Sequence, residues 1–243
     1  MSFEPVLQIR KSGASFTAAA KLLSQDRQAR RDLPRWIRSL LTRLRRAELG
    51  VERSPRPCIT FGALDWLAAT IQPSWRVFEW GSGASTLYYG DMGVEIVAVE
   101  HHREWAELVQ RRLSERGSTG RVLHRPPEPG PTATSATSVR PEFAGQNFDR
   151  YVGAIDEIDG EFDLIVVDGR ARNACGARAL HRLAPGGCIL LDNAERPRYE
   201  PLHQMLSHLE RIDFSGLGPY SAAPWRTTIW RKPRSVAGGA LSA

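Results

Sequence analysis

The chain has 243 residues, 42% of them hydrophobic and 25% charged, which fits one well-buried globular domain with an appendage and excludes a disordered or fibrous chain. No apolar run approaches the ~20 residues that cross a bilayer, and the N-terminal MSFEPVLQIRKSG lacks the apolar centre of a signal peptide, so a cytoplasmic protein without a membrane span is expected. The net charge of +6 is concentrated: residues 1–57 hold 13 Lys/Arg against 5 Asp/Glu and the remainder 20 against 22, which argues against a basic nucleic-acid groove across the main domain.

In chain order, residues 16–48 are predicted to be helical and basic. PRWIRSLLTRLRRAEL places Trp36, Ile37, Leu40, Leu41 and Leu44 at helical spacing, with Arg35, Arg38, Arg43, Arg45 and Arg46 over the rest of the surface. Pro34 suits a first-turn position with Asp32 as its cap. Such a helix is expected to pack its stripe on its own domain or on a second copy, making a homo-oligomer through the N-terminal helices an expectation. An anionic membrane or nucleic acid is the alternative contact. The organisation read here is a basic helical extension over 1–57, a main domain over 58–233 and a flexible tail over 234–243.

From about residue 60, helices alternate with short apolar strands. FGALDWLAATI, ASTLYYGDM and REWAELVQRRLSERG read as helices; WRVFEW, EIVAVE and RVLH read as strands. Residues 125–147 have the Pro/Gly/Ser/Thr content of a long loop, with a substrate lid as one role. A short helix near 148–157, the strand FDLIVVD, a helix across 172–183, a turn at Pro185–Gly187 and the strand CILLD follow. Pro201–Leu209 reads as helical, and RIDFSG and TTIWRK as closing strands. Cys58, Cys175 and Cys188, odd in number and without a C-x-x-C pair, predict buried thiols in a reducing compartment. Runs such as LIVV and CILL fit strands covered on both faces. The expected fold is therefore α/β, a doubly wound, mostly parallel seven-stranded Rossmann-like sheet with an N-terminal helical extension.

In such sheets ligands bind at the carboxyl ends of the strands, where Glu79, Glu100, Asp168 and Asp192 fall. VFEWGSGAST runs from a strand into Gly81 and Gly83, which permit a sharp turn and close approach of a ligand to a helix N-terminus. A dinucleotide turn wants a third glycine, where this chain has Thr86. A carboxylate two residues before the first glycine suits an ammonium better than a pyrophosphate.

On these residues the chain resembles the class I S-adenosylmethionine-dependent methyltransferases over roughly residues 60–231. The resemblance rests on Glu79 before Gly81 and Gly83, Glu100 ending strand two, Asp168 ending strand four, and LAPGG before strand five. It implies S-adenosylmethionine as cofactor, with Glu79 near its methionine amino group and Gly81, Ser82 and Gly83 along the methionine and ribose. Glu100 would take the ribose hydroxyls and His101 border the adenine; Ser85 and Thr86 could offer hydroxyls, although helix capping also explains them. Asp168 belongs to the same cofactor-binding set.

On the substrate side, Asp168, Asp192 and Asn193 are similar to the Asp, Asp and Asn that hold Mg²⁺ in metal-dependent O-methyltransferases. The lysine base of that group is missing, with Gly169, Arg170, Ala171 and Arg172 standing after Asp168. The alternative is that Asp192 and Asn193 cap a turn while Asp168 acts as base or orients the substrate. Asp168 and Arg170 are the catalytic candidates, although arginine stays protonated and makes a poor base. Arg172, Arg196 and Tyr199 are the candidate substrate-binding residues, with Arg198 nearby; guanidinium forks match carboxylates and phosphates. The expected function is O-methylation of a small acidic or sugar-derived molecule. The alternatives are a non-catalytic cofactor-binding or interaction module, or a nucleic-acid methyltransferase using the basic helix.

Overall fold

The structure, a computed structural model, describes residues 30–39, 55–130, 136–219 and 221–234. Most of the 1–57 extension and of the 234–243 tail lies outside the described residues. Helix α1 covers residues 30–39, so Pro34 falls inside it and not in its first turn, and Asp32 is buried within it, not a cap. The ring of Pro34 therefore removes one i→i−4 hydrogen bond from the helix. Arg35 of α1 makes a two-pronged ion pair with Asp65 (2.6 and 2.9 Å) and stacks over Phe61, both on α2 (Phe61–Thr70).

The main domain continues with β1 (Arg76–Trp80), α3 (Ala84–Asp91), β2 (Glu95–Glu100), α4 (Arg103–Glu115) and β3 (Arg121–His124). After the segment from 125 come α5 (Asp149–Gly153), β6 (Phe162–Val167), α6 (Arg172–Leu180), β7 (Leu183–Leu191), α7 (Glu200–Met205), β8 (Glu210–Gly218) and β9 (Ser221–Arg231). The sheet order is β3-β2-β1-β6-β7-β9-β8. The first five strands are parallel, and the β8–β9 pair is added antiparallel along β7. This is the doubly wound, mostly parallel sheet expected from the apolar runs.

Strand alternation divides the core. Phe78, Trp80, Ile165, Val167, Ile189 and Leu191 face a layer containing Tyr151, Cys175 and Leu202 of α5, α6 and α7. Val77, Leu164, Val166, Cys188 and Leu190 face the other layer, with Phe61, Leu64 and Leu67 of α2 and Tyr89 of α3. At roughly 25 cal/mol per Å² of apolar surface removed from water, this two-sided burial is the main force holding the sheet.

Three local readings need correction. The 125–147 segment is not featureless. β4 (Glu128–Pro129) and β5 (Gln146–Asn147) pair antiparallel across its neck, Gly130 N–H donates to Gly145 O (2.9 Å), and a 3₁₀ turn spans Pro141–Phe143. Phe143 and Ala136 pack against the core, so a few apolar residues are enough to anchor the segment. Pro185–Gly187 lies within the span of β7, where pairing with β6 shifts between Phe162 and Leu164. The Gly186 φ of 80° accommodates that irregularity. Helix α7 ends at Met205, and Pro197–Tyr199 before it is 3₁₀.

The order of strands reverses between β1 and β6, and there the turns at Gly81 and Gly169 pack tightly together. A Cβ on Gly169 would lie 1.9 Å from the Tyr151 hydroxyl and 2.9 Å from Gly81 N, while a Cβ on Gly81, whose φ is 94°, would lie 3.0 Å from Gly169 Cα. Gly169→Ala should therefore destabilise the fold by about 1–3 kcal/mol through overpacking, read as a lower urea midpoint. An unchanged midpoint would contradict the close approach.

Candidate active site

Register places the acidic residues before chemistry does. Ala98, Glu79, Val166 and Leu190 lie side by side across β2, β1, β6 and β7. Two residues further along each strand, in the same order, come Glu100, Gly81, Asp168 and Asp192. Gly81 contributes no side chain, which leaves a gap between Glu100 and Asp168 at the switch point of the sheet. A cavity of ≈ 280 Å³ opens there, lined by Gly81–Ser85, Glu100, His101, Asp168, Gly169 and Arg170, with Cys58 at its edge. Cys58 is exposed, unlike the buried Cys175 and Cys188, so the expectation of three buried thiols fails at this position.

Glu100 organises the cavity wall. Its Oε1 accepts from His101 N (2.8 Å) and His102 N (3.0 Å) and meets His101 Nδ1 at 2.6 Å. Its Oε2 accepts from Ser82 N (3.1 Å) and Ser82 Oγ (3.3 Å). Burial works to raise its pKa, but the His101, His102 and Ser82 donors outweigh it and hold the carboxyl below its ordinary value. The glycine turn is further fixed by Trp105, whose Nε1 donates to Ser82 O (2.8 Å). His101 meets Phe143 edge-on, with ring centres 5.3 Å apart.

Glu79 is fully buried and does not line the cavity; it lies behind the glycine turn. Thr86 Oγ1 donates to Glu79 Oε2 (2.6 Å) and accepts from Gly83 N (2.9 Å), so Thr86 links the carboxylate to the turn. Glu79 Oε1 takes no hydrogen bond among the described residues. Burial, with smaller contributions from the Asp168 and Glu100 charges, raises its pKa to about 8 against the Ser85 and Thr86 hydroxyls. Ser85 lines the cavity, whereas Thr86 serves the turn beneath it.

The metal triad does not assemble. Asp192 turns inward: its Oδ1 accepts from Trp225 Nε1 (2.7 Å) and Thr227 Oγ1 (3.0 Å) on β9. Burial first, then the Asp168 charge, raises its pKa to about 7. Asn193, with φ 53°, lies instead on a neighbouring cleft. The position between the strand ends is already held by a cation. Arg172 donates to Asp168 Oδ1 (2.6 Å), Asp168 O (2.8 Å), Asp192 O (2.6 Å) and Gly169 O (3.1 Å). Asp168 bonded to a guanidinium and Asp192 bonded to an indole and a hydroxyl do not form a Mg²⁺ site, and among the described residues no acidic, histidine or cysteine cluster does. Arg172 thus commits most of its donors to the strand ends.

The neighbouring cleft, ≈ 720 Å³, is lined by Arg140, Arg170, Arg172, Arg196 and Arg198, with Tyr199 and Asn193 and, among the described residues, with no Asp or Glu. Tyr199 is buried, with Arg172 and Arg198 stacked near its ring. Arg170 stacks on Phe143 at 5.5 Å, and its buried Nε has no hydrogen-bond partner among the described residues. Gly169 and Arg170 line both cavities, so the two open on a shared border. Arg140 and Phe143 were not singled out from the sequence. The one available signal was Phe143 as the only aromatic residue in the loop composition of 125–147.

With the cavity between the glycine turn and Glu100 described, comparison is informative. No family profile and no curated protein matches the sequence. Solved structures do. A methyltransferase-like protein from Silicibacter pomeroyi aligns with TM-score 0.53 and 19% identity, over 77% of this chain and 93% of that one. The O-methyltransferase TomG from Streptomyces achromogenes, involved in tomaymycin synthesis and solved in complex with S-adenosylmethionine, aligns with TM-score 0.50 and 16% identity, over 94% and 99%. The chain has the class I methyltransferase fold. No described helix is long and apolar enough to cross a membrane.

The buried Glu79 makes a pH prediction. Between its usual 4.5 and about 8, the folded chain keeps a proton that the unfolded chain has released, so stability falls as pH rises through that window. Glu79→Gln removes this component. Urea unfolding from about pH 5 to about pH 9 should show the wild type losing a few kcal/mol relative to the variant; parallel profiles would contradict the buried, raised carboxyl.

Proposed function

We propose that this chain is an S-adenosylmethionine-dependent methyltransferase that methylates an oxygen of a small anionic acceptor. The observation that carries the reading is the shared border at Gly169 and Arg170. It joins a cavity built from a glycine turn and a strand-end glutamate to a cleft lined by five arginines.

S-adenosylmethionine, when bound, supplies an electrophilic sulfonium methyl group. Gly81, Ser82, Gly83 and Ser85 would lie along its methionine and ribose, and His101, under Phe143, would border the adenine. Glu100 would accept the ribose hydroxyl protons. Its oxygens are already filled in this structure, so the Ser82 hydroxyl or the His101 ring must give way while the backbone N–H donors stay. Glu79, buried behind the glycine turn, would act on the ammonium end through its charge from behind that turn, and the ammonium would draw the carboxyl into its charged form.

The protein's own contribution to the chemistry is position and proton handling. Arg172 holds Asp168 Oδ1, leaving Oδ2 to take the proton of the acceptor hydroxyl. Burial raises the Asp168 pKa against Arg172, Arg196 and Arg170, which moves a carboxylate towards the basicity a general base needs. Arg170 stays a cation and would hold the acceptor's charge at the border of the two cavities. Arg196 and Tyr199 would form the far side of the acceptor's seat.

Calorimetric titration tests the reading. S-adenosylhomocysteine should bind saturably and NAD⁺ and NADP⁺ should not. Glu100→Ala should weaken that binding at least ~10-fold, about 1.4 kcal/mol, with Glu100→Gln as the control for loop structure. Binding of a dinucleotide instead would point to hydride chemistry, and binding of nothing would leave an interaction module.

A further inference from the structure

The cleft beyond Gly169 is more positive than one carboxylate requires. A carboxylate presents two oxygens in one plane and is satisfied by a single guanidinium fork. Here guanidinium groups reach one cavity from three separate segments: Arg140 from the 125–147 segment, Arg170 and Arg172 after β6, and Arg196 and Arg198 after β7. Arg172 is committed to the strand ends. The others have only distant carboxylates within the lining elements. Arg140 is 3.8 Å from Glu142 and Arg196 is 3.9 Å from Glu195, all of them well exposed. Glu195 is itself engaged by Arg226 N at 3.0 Å.

We propose that the acceptor carries a phosphate group, bound by Arg140, Arg196 and Arg198, with Arg170 between that group and the reacting oxygen. This rests on the methyltransferase reading. A phosphate monoester is close to dianionic at neutral pH and offers three acceptor oxygens, which matches forks arriving from several directions. The unpartnered, buried Nε of Arg170 is the second observation that calls for an anion. The arginines also repel one another: burial, then the Arg140 charge, holds the Arg170 guanidinium below its ordinary pKa. A volume of ≈ 720 Å³ suits a small phosphorylated molecule. The residues beyond the basic extension hold 20 Lys/Arg against 22 Asp/Glu, a balance that favours a small phosphorylated molecule over a nucleic-acid backbone.

The test is calorimetric titration of the full chain with inorganic phosphate and, separately, with acetate at matched ionic strength, alongside S-adenosylhomocysteine. Wild type should bind phosphate saturably and acetate at least ~10-fold more weakly, a gap of about 1.4 kcal/mol. The double variant Arg196→Gln/Arg198→Gln should lose at least ~10-fold in phosphate affinity while keeping the wild-type S-adenosylhomocysteine affinity as its folding control. Arg140→Gln, on a different segment, should weaken phosphate as well. Equal binding of phosphate and acetate, or phosphate affinity unchanged in both variants, overturns the proposal. A short single-stranded RNA that binds more tightly than phosphate and is lost in the same variants overturns it in favour of a nucleic-acid backbone. Phosphate binding without S-adenosylhomocysteine binding supports the anion site and sinks the methyltransferase reading instead.

Discussion

A carboxylate buried at the end of a strand persists as an anion only where donors surround it, and Glu100 meets that condition by drawing two loops together. The backbone N–H groups of Ser82, His101 and His102 all point at it. The turn after β1 and the turn after β2 are thereby held at a fixed separation, and the cavity between them is the space left over. Gly81 keeps that space open, because its position in the row between Glu100 and Asp168 has no side chain. Trp105 then hydrogen-bonds Ser82 O, and Phe143 packs on His101.

The other side of the switch point is organised by a fixed cation. Arg172 ties the ends of β6 and β7 by bonding two carbonyls, a further carbonyl after β6 and the Asp168 carboxylate. Unlike a bound divalent ion, a guanidinium has no coordination position to offer a substrate oxygen, so this arrangement fixes geometry alone. It orients one oxygen of Asp168 and leaves the other. The remaining arginines are free of such commitments and give the adjoining cleft its charge. The same residue type thus plays two distinct parts, separated by whether its donors are spent on the protein's own backbone.

Much of this was readable in the sequence, for reasons that are local. Strands buried on both faces announce themselves as LIVV and CILL, and Glu79, Gly81, Gly83, Glu100 and Asp168 fall in motif order along the chain. What could not be read depends on distant partners. The inward turn of Asp192 is decided by Trp225 and Thr227 on β9, more than thirty residues away. The retreat of Glu79 behind the turn depends on Thr86 forming its link. Phe143 meets His101 across a segment of loop-like composition whose neck is held by the β4–β5 ladder. Pro34 marked a helix start by local preference, yet α1 already includes residues before it.

The most direct measurement is a crystal structure of the full chain with S-adenosylhomocysteine. The account predicts ligand density between Gly81–Ser85 and Glu100–His101, a ribose hydroxyl on Glu100 in place of the Ser82 hydroxyl or the His101 ring, and the sulfur end directed at Asp168. Density elsewhere, or a ligand that leaves every bond to Glu100 as it is here, would contradict it.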